Sequence, residues 1–185
     1  MTRPPGPYNL SSFAALPGGI ETVFITGDAQ LSGTVTRKLT IIVSGTVTIN
    51  GPISITPVTF GDPHEVPSLG IASFGPININ SGVIRVDAYL FSNNVINTCT
   101  EAVTVSPLPA VTCSNTLSVN GFLMARNILF QRKGPFNGSA QNGQATAPGE
   151  IVTLIPQLYL NPPRFFDSSV DDRLLEGQGE RQPLF

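Results

Sequence analysis

The stretch from Val23 to Gly51 constrains this chain more than any other. Shifted by 18 residues it lies on itself: Val23 falls on Ile41, Phe24 on Ile42, Ile25 on Val43, Gly27 on Gly45, Leu31 on Ile49 and Gly33 on Gly51. A fixed sequence period is the mark of supersecondary units that bury their apolar faces by stacking. Within the repeat, Val35, Leu39, Ile41, Val43, Val47, Ile49, Ile53 and Ile55 alternate with polar residues, the period of strands with one buried face. Eighteen residues suit three short strands and three corners. Glycines at 27, 33, 45 and 51 fall where a corner would use φ > 0. The pattern predicts an all-β fold, a single-stranded β-solenoid of about four to five short coils with loop insertions and a non-repetitive C-terminal tail. A β-meander is the competing arrangement, but nothing in a meander demands repetition at a fixed offset.

Two later matches extend the pattern. Residues 69–80 lie on 39–50 at an offset of 30, with Leu69 on Leu39, Ile71 on Ile41, Gly75 on Gly45 and Ile79 on Ile49. The excess over 18 is a proline-rich insertion at 56–68, TPVTFGDPHEVPS. Residues 85–96 lie on 118–129 at an offset of 33: Val86 meets Val119, Tyr89 meets Phe122 and Asn94 meets Asn127. A second insertion at 97–115 accounts for that excess. The pair Asn94 and Asn127 suggests a ladder of stacked amides, or simply two turn residues.

The chain therefore divides into a lead-in and cap (1–19), a solenoid domain (20–168) and a tail (169–185). Met1 to Pro7 is expected to be extended and poorly ordered, and Leu10 to Leu16 to cover the first coil with a helical turn. The predicted core holds Val23, Ile25, Leu31, Ile41, Val43, Ile49, Ile71, Ile79, Val86 and Val119. Cys99 and Cys113 bracket the second insertion, where residues 102–105 and 110–112 would pair as a hairpin. A disulfide between the two cysteines closes a loop of about 15 residues, stabilises by about 3 kcal/mol in the entropic model and implies an oxidising compartment. Two separate buried thiols are the alternative. Segment 151–160 reads as an edge strand interrupted at Pro156. Phe165 and Phe166 are expected to plug the far end of the core. Residues 170–176 suggest one helical turn, and an ordered tail ending in Leu184 and Phe185 would need a groove, on this subunit or a neighbour, as an assembly contact.

Composition excludes several functions. Net charge is −2, with ten Lys and Arg residues scattered along the chain. Nucleic-acid binding needs them clustered, and Arg126, Arg132 and Lys133, the one loose group, read as a solvated edge. Hydrophobic residues make up 41% of the chain, but no apolar run reaches the length of a membrane span, and MTRPPGPYNL lacks the apolar core of a signal peptide. His64, beside Asp62 and Glu65, is the single histidine. It falls in the proline-rich insertion, short of a metal ligand set and without the frame a catalytic triad needs. Asp28, Asp87, Glu101 and Glu150 occupy no equivalent positions of successive coils, and Asp167, Asp171 and Asp172 are too few for calcium. The expectation is a non-enzyme with no cofactor and no metal.

The runs LGIASFGPININ, RVDAYLFSNNVI and LSVNGFLMARNILFQRKGPFNG, closing in YLNPPRFFDSS, resemble the β-solenoid C-terminal region of bacterial pilus-assembly and minor-pilin-like surface proteins. The match spans most of 20–168, with an opening from Ile25 to Ile49 and a closing motif from Pro156 to Phe166. Those proteins begin with a hydrophobic anchoring helix that this sequence lacks, so the chain reads as processed, excised or a soluble relative. The resemblance implies a structural subunit of an extracellular filament or pilus-like appendage, at the cell surface, with itself or appendage subunits as partners. A cytoplasmic polymer similar to bactofilins is one alternative. An adhesin or carbohydrate-binding module, using the two insertions as its contact surface, is another.

Overall fold

The computed structural model describes residues 1–57, 62, 65–100, 113–135 and 147–166. Among these, thirteen strands form one sheet. They are β1 (Thr2–Arg3), β2 (Gly6–Asn9), β3 (Thr22–Ile25), β4 (Ala29–Val35), β5 (Lys38–Val43), β6 (Val47–Ile55), β7 (Ser68–Ser73), β8 (Ile77–Asn80), β9 (Arg85–Val86), β10 (Tyr89–Thr100), β11 (Leu117–Asn120), β12 (Phe122–Leu129) and β13 (Glu150–Thr153). A 3₁₀ helix spans Leu10–Ala15, and α1 spans Pro156–Leu160. The strand pairings are parallel throughout, as in a β-helix-like architecture.

The pairings sort into three columns. The first stacks β1, β3, β5, β7 and the N-terminal halves of β10 and β12. The second stacks β2, the starts of β4 and β6, β8, and the C-terminal halves of β10 and β12. The third stacks the ends of β4 and β6 on β9, β11 and β13. Most self-matches of the sequence are registers of these columns: Val23 pairs with Ile41, Leu39 with Leu69, Tyr89 with Phe122 and Val86 with Val119. Gly33 on Gly51 is not one, because a register shift after Leu31 sets Gly33 opposite Ile53.

Alternation then fixes the core. Side chains pointing into the space between the columns form continuous rows, such as Val23, Ile41, Ile71, Leu90 and Leu123 in the first column. All ten core residues named from the sequence are buried to 1% exposure or less. Outward rows differ by column. The first carries Phe24, Ile42, Ala72, Phe91 and Met124 in register, whereas the second carries Gln30, Thr48, Asn78 and Asn97.

Several expectations need correction. The first nine residues are part of the sheet: β1 and β2 pair with β3 and β4 because their backbone groups extend columns already begun. The insertions are shorter than 56–68 and 97–115, since Ser68 opens β7 and β10 continues to Thr100 through its pairing with β8. Asn94 does not stack on Asn127. A register shift after Ser92 sets Asn127 opposite Val95, and the amide pair that forms is Asn97 Nδ2 donating to Asn78 Oδ1 at 2.7 Å. Gly27 and Gly33 have positive φ, 90° and 103°, but Gly45 and Gly51 do not. Gly45 is required by proximity instead: a Cβ there would lie 2.7 Å from the Gly27 carbonyl carbon. Pro156 does not interrupt a strand. It opens α1, where its missing N–H costs nothing.

Phe166 is not a plug for the end of the core. After β13 the chain folds back along the outside of the first column. Asn161 Nδ2 donates to the Val66 carbonyl, and Thr40 Oγ1 donates to the Arg164 carbonyl at 2.8 Å. Phe166 meets the rings of Tyr89 and Phe122 edge-on at 5.7 and 5.8 Å. A Cβ on Gly70 would collide with the Phe166 ring, so this outward glycine is the seat of the returning arm. Phe165 is 66% exposed.

Candidate assembly surface

The two ends of the stack differ. At the N-terminal end, Leu10 and Phe13 of the 3₁₀ helix are each 2% exposed, Leu16 is buried, and Tyr8 stacks on Phe13 at 5.8 Å. Asn9 caps this helix, its Oδ1 accepting from the Ser11 N–H. The cap needs Gly33, where a Cβ would lie 3.3 Å from the Leu10 backbone nitrogen and 3.0 Å from Asn9 Cγ. Beneath this end the inward residues Val23, Ala29 and Val35 are 0%, 1% and 1% exposed. The strand edge there is blunted as well. The Gly6 N–H faces β4, donating to the Asp28 carbonyl at 3.0 Å. By parallel alternation, Pro5 and Pro7 occupy positions facing away, where they offer no donor.

At the C-terminal end nothing comparable covers the core among the described residues. The third-column row Ile53, Val86, Val119 and Val152 is 0% exposed at its first three members and 47% at Val152. The final members of the other two columns, Leu123 and Ile128, are also less buried than the rows behind them. Seven of the thirteen exposed large apolar side chains (Met124, Leu129, Phe130, Ile151, Val152, Leu154 and Leu160) belong to this last pass of the chain, 122–160. Leu154, Ile155, Pro156 and Leu160 line an open apolar hollow of about 430 Å³ beside β13. In the sheet, β12 pairs only with β10 and β13 only with β11, which leaves each an edge on the open side.

The rigid frame behind this end is polar and closely bonded. Cys99 and Cys113 form a disulfide across the second insertion, with Cα atoms 5.9 Å apart. Where the insertion leaves the stack, Arg132 fills the corner. It is buried, and its guanidinium donates to the carbonyls of Thr98, Ser81, Asn80 and Val83 at 2.7–2.9 Å. The Arg132 N–H donates to Glu150 Oε1, which also accepts from Thr98 Oγ1. Burial pushes the Arg132 guanidinium below its ordinary pKa, and the Glu150 charge opposes that shift. Arg132 is therefore an internal brace and not part of a solvated edge.

Asp87 has a similar structural role. Buried to 1% exposure, it accepts from both Arg85 Nε and Nη2, from the Ile55 N–H and from Asn120 Nδ2. Hydrogen bonding to Asp87 holds the Arg85 guanidinium above its ordinary pKa against some desolvation, and the Asp87 charge adds to the rise. With its oxygens engaged, Asp87 is suited to holding β6, β9 and β11 together and not to proton transfer.

The remaining candidates are not brought together. Among the described residues no group of three or more His, Cys, Asp or Glu side chains is placed to hold a metal, and no helix is long and apolar enough to cross a membrane. His64, Asp167, Asp171, Asp172, Leu184 and Phe185, with the expected hairpin and tail turn, lie outside the described residues. No family model, curated protein or solved structure matches the chain.

Proposed function

We propose that the chain is a three-faced, single-stranded β-solenoid of about five coils, and that it is a structural subunit of an extracellular filament or pilus-like surface appendage. The observation that carries the reading is the rise in exposure along the inward row of the third column, from 0% at Ile53, Val86 and Val119 to 47% at Val152. A core sealed at one end and open at the other suits a part that is added to something. The covered N-terminal end favours a terminal or minor component over a repeating unit, because a repeating unit needs two joinable ends. The Cys99–Cys113 disulfide supports an oxidising location.

The test is localisation in the native host. The tagged protein is expected in the fraction sheared from the cell surface, with both cysteines resisting alkylation until reduced. A cytoplasmic protein with two free thiols would overturn this reading and favour the cytoskeletal polymer.

A further inference from the structure

We propose that the open C-terminal end docks on the same end of a second copy of this chain, forming a closed two-fold pair. This deepens the assembly reading by naming the partner of the surface on which that reading rests.

An uncovered end makes two demands, on apolar side chains and on backbone groups. Val152, Leu123 and Ile128 are the last members of apolar rows, and each lacks the neighbour that buries the member behind it. Beside them β12 and β13 expose unpaired backbone groups. In β13, the Gly149 and Thr153 carbonyls accept from the Leu117 and Gly121 N–H groups. Alternation therefore aims the backbone groups of Glu150 and Val152 outward. A partner that satisfies both demands must present strands and apolar side chains at the same spacing.

Within this chain the N-terminal end does not qualify. The edge of β2 offers Pro5 and Pro7, β1 offers only the two residues Thr2 and Arg3, and the core lies beneath Leu10 and Phe13. Continuing the stack head to tail would strand the donors and acceptors of β13 against a surface unable to answer them. The C-terminal end of another copy does qualify. A two-fold axis across the end turns β12 and β13 against their own copies in antiparallel sense, so every outward N–H has a carbonyl available. It also lets the hollow beside Leu154 and Leu160 receive apolar side chains from the second copy. Such an interface is isologous and closes at two, in agreement with a covered far end.

Sedimentation of the full chain with its disulfide intact is the test. A species of twice the 19.6 kDa chain mass is expected. Val152→Asp sets like charges across the two-fold and is expected to raise the dimer dissociation constant at least about tenfold. Its thermal midpoint should stay near that of the parent, since Val152 is already half exposed. Met124→Glu serves as a second variant if Val152→Asp folds poorly. With a bismaleimide, Thr153→Cys should link two chains and Thr2→Cys should not. A chain that is monomeric at every concentration overturns the pair, as do polymers linked through Thr2→Cys. The outcomes separate from those of the preceding section: a surface-located monomer removes the pair and leaves the structural role, and a cytoplasmic dimer does the reverse.

Discussion

The first and last strands of the third column are built from the same kind of residue and end differently. Val35 of β4 and Val152 of β13 both point inward, yet one is 1% exposed and the other 47%. The repeated part of the sequence does not cause the difference. The flanks do: before β3 the chain supplies two short strands, prolines and a 3₁₀ helix that folds over the core. After β13 it turns aside along the outer face, with Leu158 entering the core from the flank and Phe166 resting on Gly70. Parallel pairing holds every strand to its neighbours, but the ends of a stack need something outside the repeat.

The largest expected effect opens the covered end. Phe13→Ala removes a side chain that is 2% exposed and is expected to cost about 3–5 kcal/mol. Val152→Ala, made at the open end of the same core, should cost less than about 1 kcal/mol because little apolar area is lost. Denaturant unfolding of the two variants checks the contrast, and equal losses would break it. Arg132→Leu comes next, at about 3 kcal/mol or more, because four backbone carbonyls lose a buried charged donor. Hydrogen exchange should place its damage in β10–β13 and spare the N-terminal cap. Reduction of the Cys99–Cys113 disulfide is expected to cost about 3 kcal/mol through the unfolded chain. Its thermal midpoint should fall, and the most protected amides should lose protection to the same extent in β3 to β6 as in β10 and β11, so the bond sharpens the contrast by stabilising globally and not at one end.

The stack itself was legible because parallel strands in register ask the same question at each level. An inward position in one strand is inward in the strand paired with it, so Leu39, Leu69 and their neighbours had to be alike, and pairings at offsets of 18, 30 and 33 are observed. Legibility failed where identity is not required. Thr2 and Arg3 pair with Phe24 and Ile25 through backbone alone, and no side-chain likeness advertises it. The one-residue shift between Ser92 and Val95 is a bulge, which slides Asn127 off Asn94 without disturbing the match in sequence. Arg132 is a brace because its guanidinium reaches carbonyls of β8, β10 and the corner after β8, partners far away in the chain that its local sequence, QRKG, does not encode. The open end was invisible for the same reason: Val152 sits in an ordinary apolar run, and it is bare because no strand among the described residues stacks over β13.

The smallest expected effect on stability bears most directly on why the two ends behave differently. Pro7 faces away from β4 and contributes no hydrogen bond to it. Pro7→Ala should therefore cost only about 0.4–1 kcal/mol, through the added freedom of the unfolded chain. What changes is the edge. Alanine restores an N–H aimed outward, giving β2 a donor that a strand from another copy can engage. If proline blunting keeps the N-terminal end closed, Pro7→Ala should add concentration-dependent light scattering beyond that of the parent, because chains can then join at both ends. The added association should disappear when Val152→Asp is combined with it, since a head-to-tail contact uses the C-terminal end as well. Scattering identical to the parent would mean that the 3₁₀ helix, seated by Leu10 and Phe13, closes that end without help from the proline.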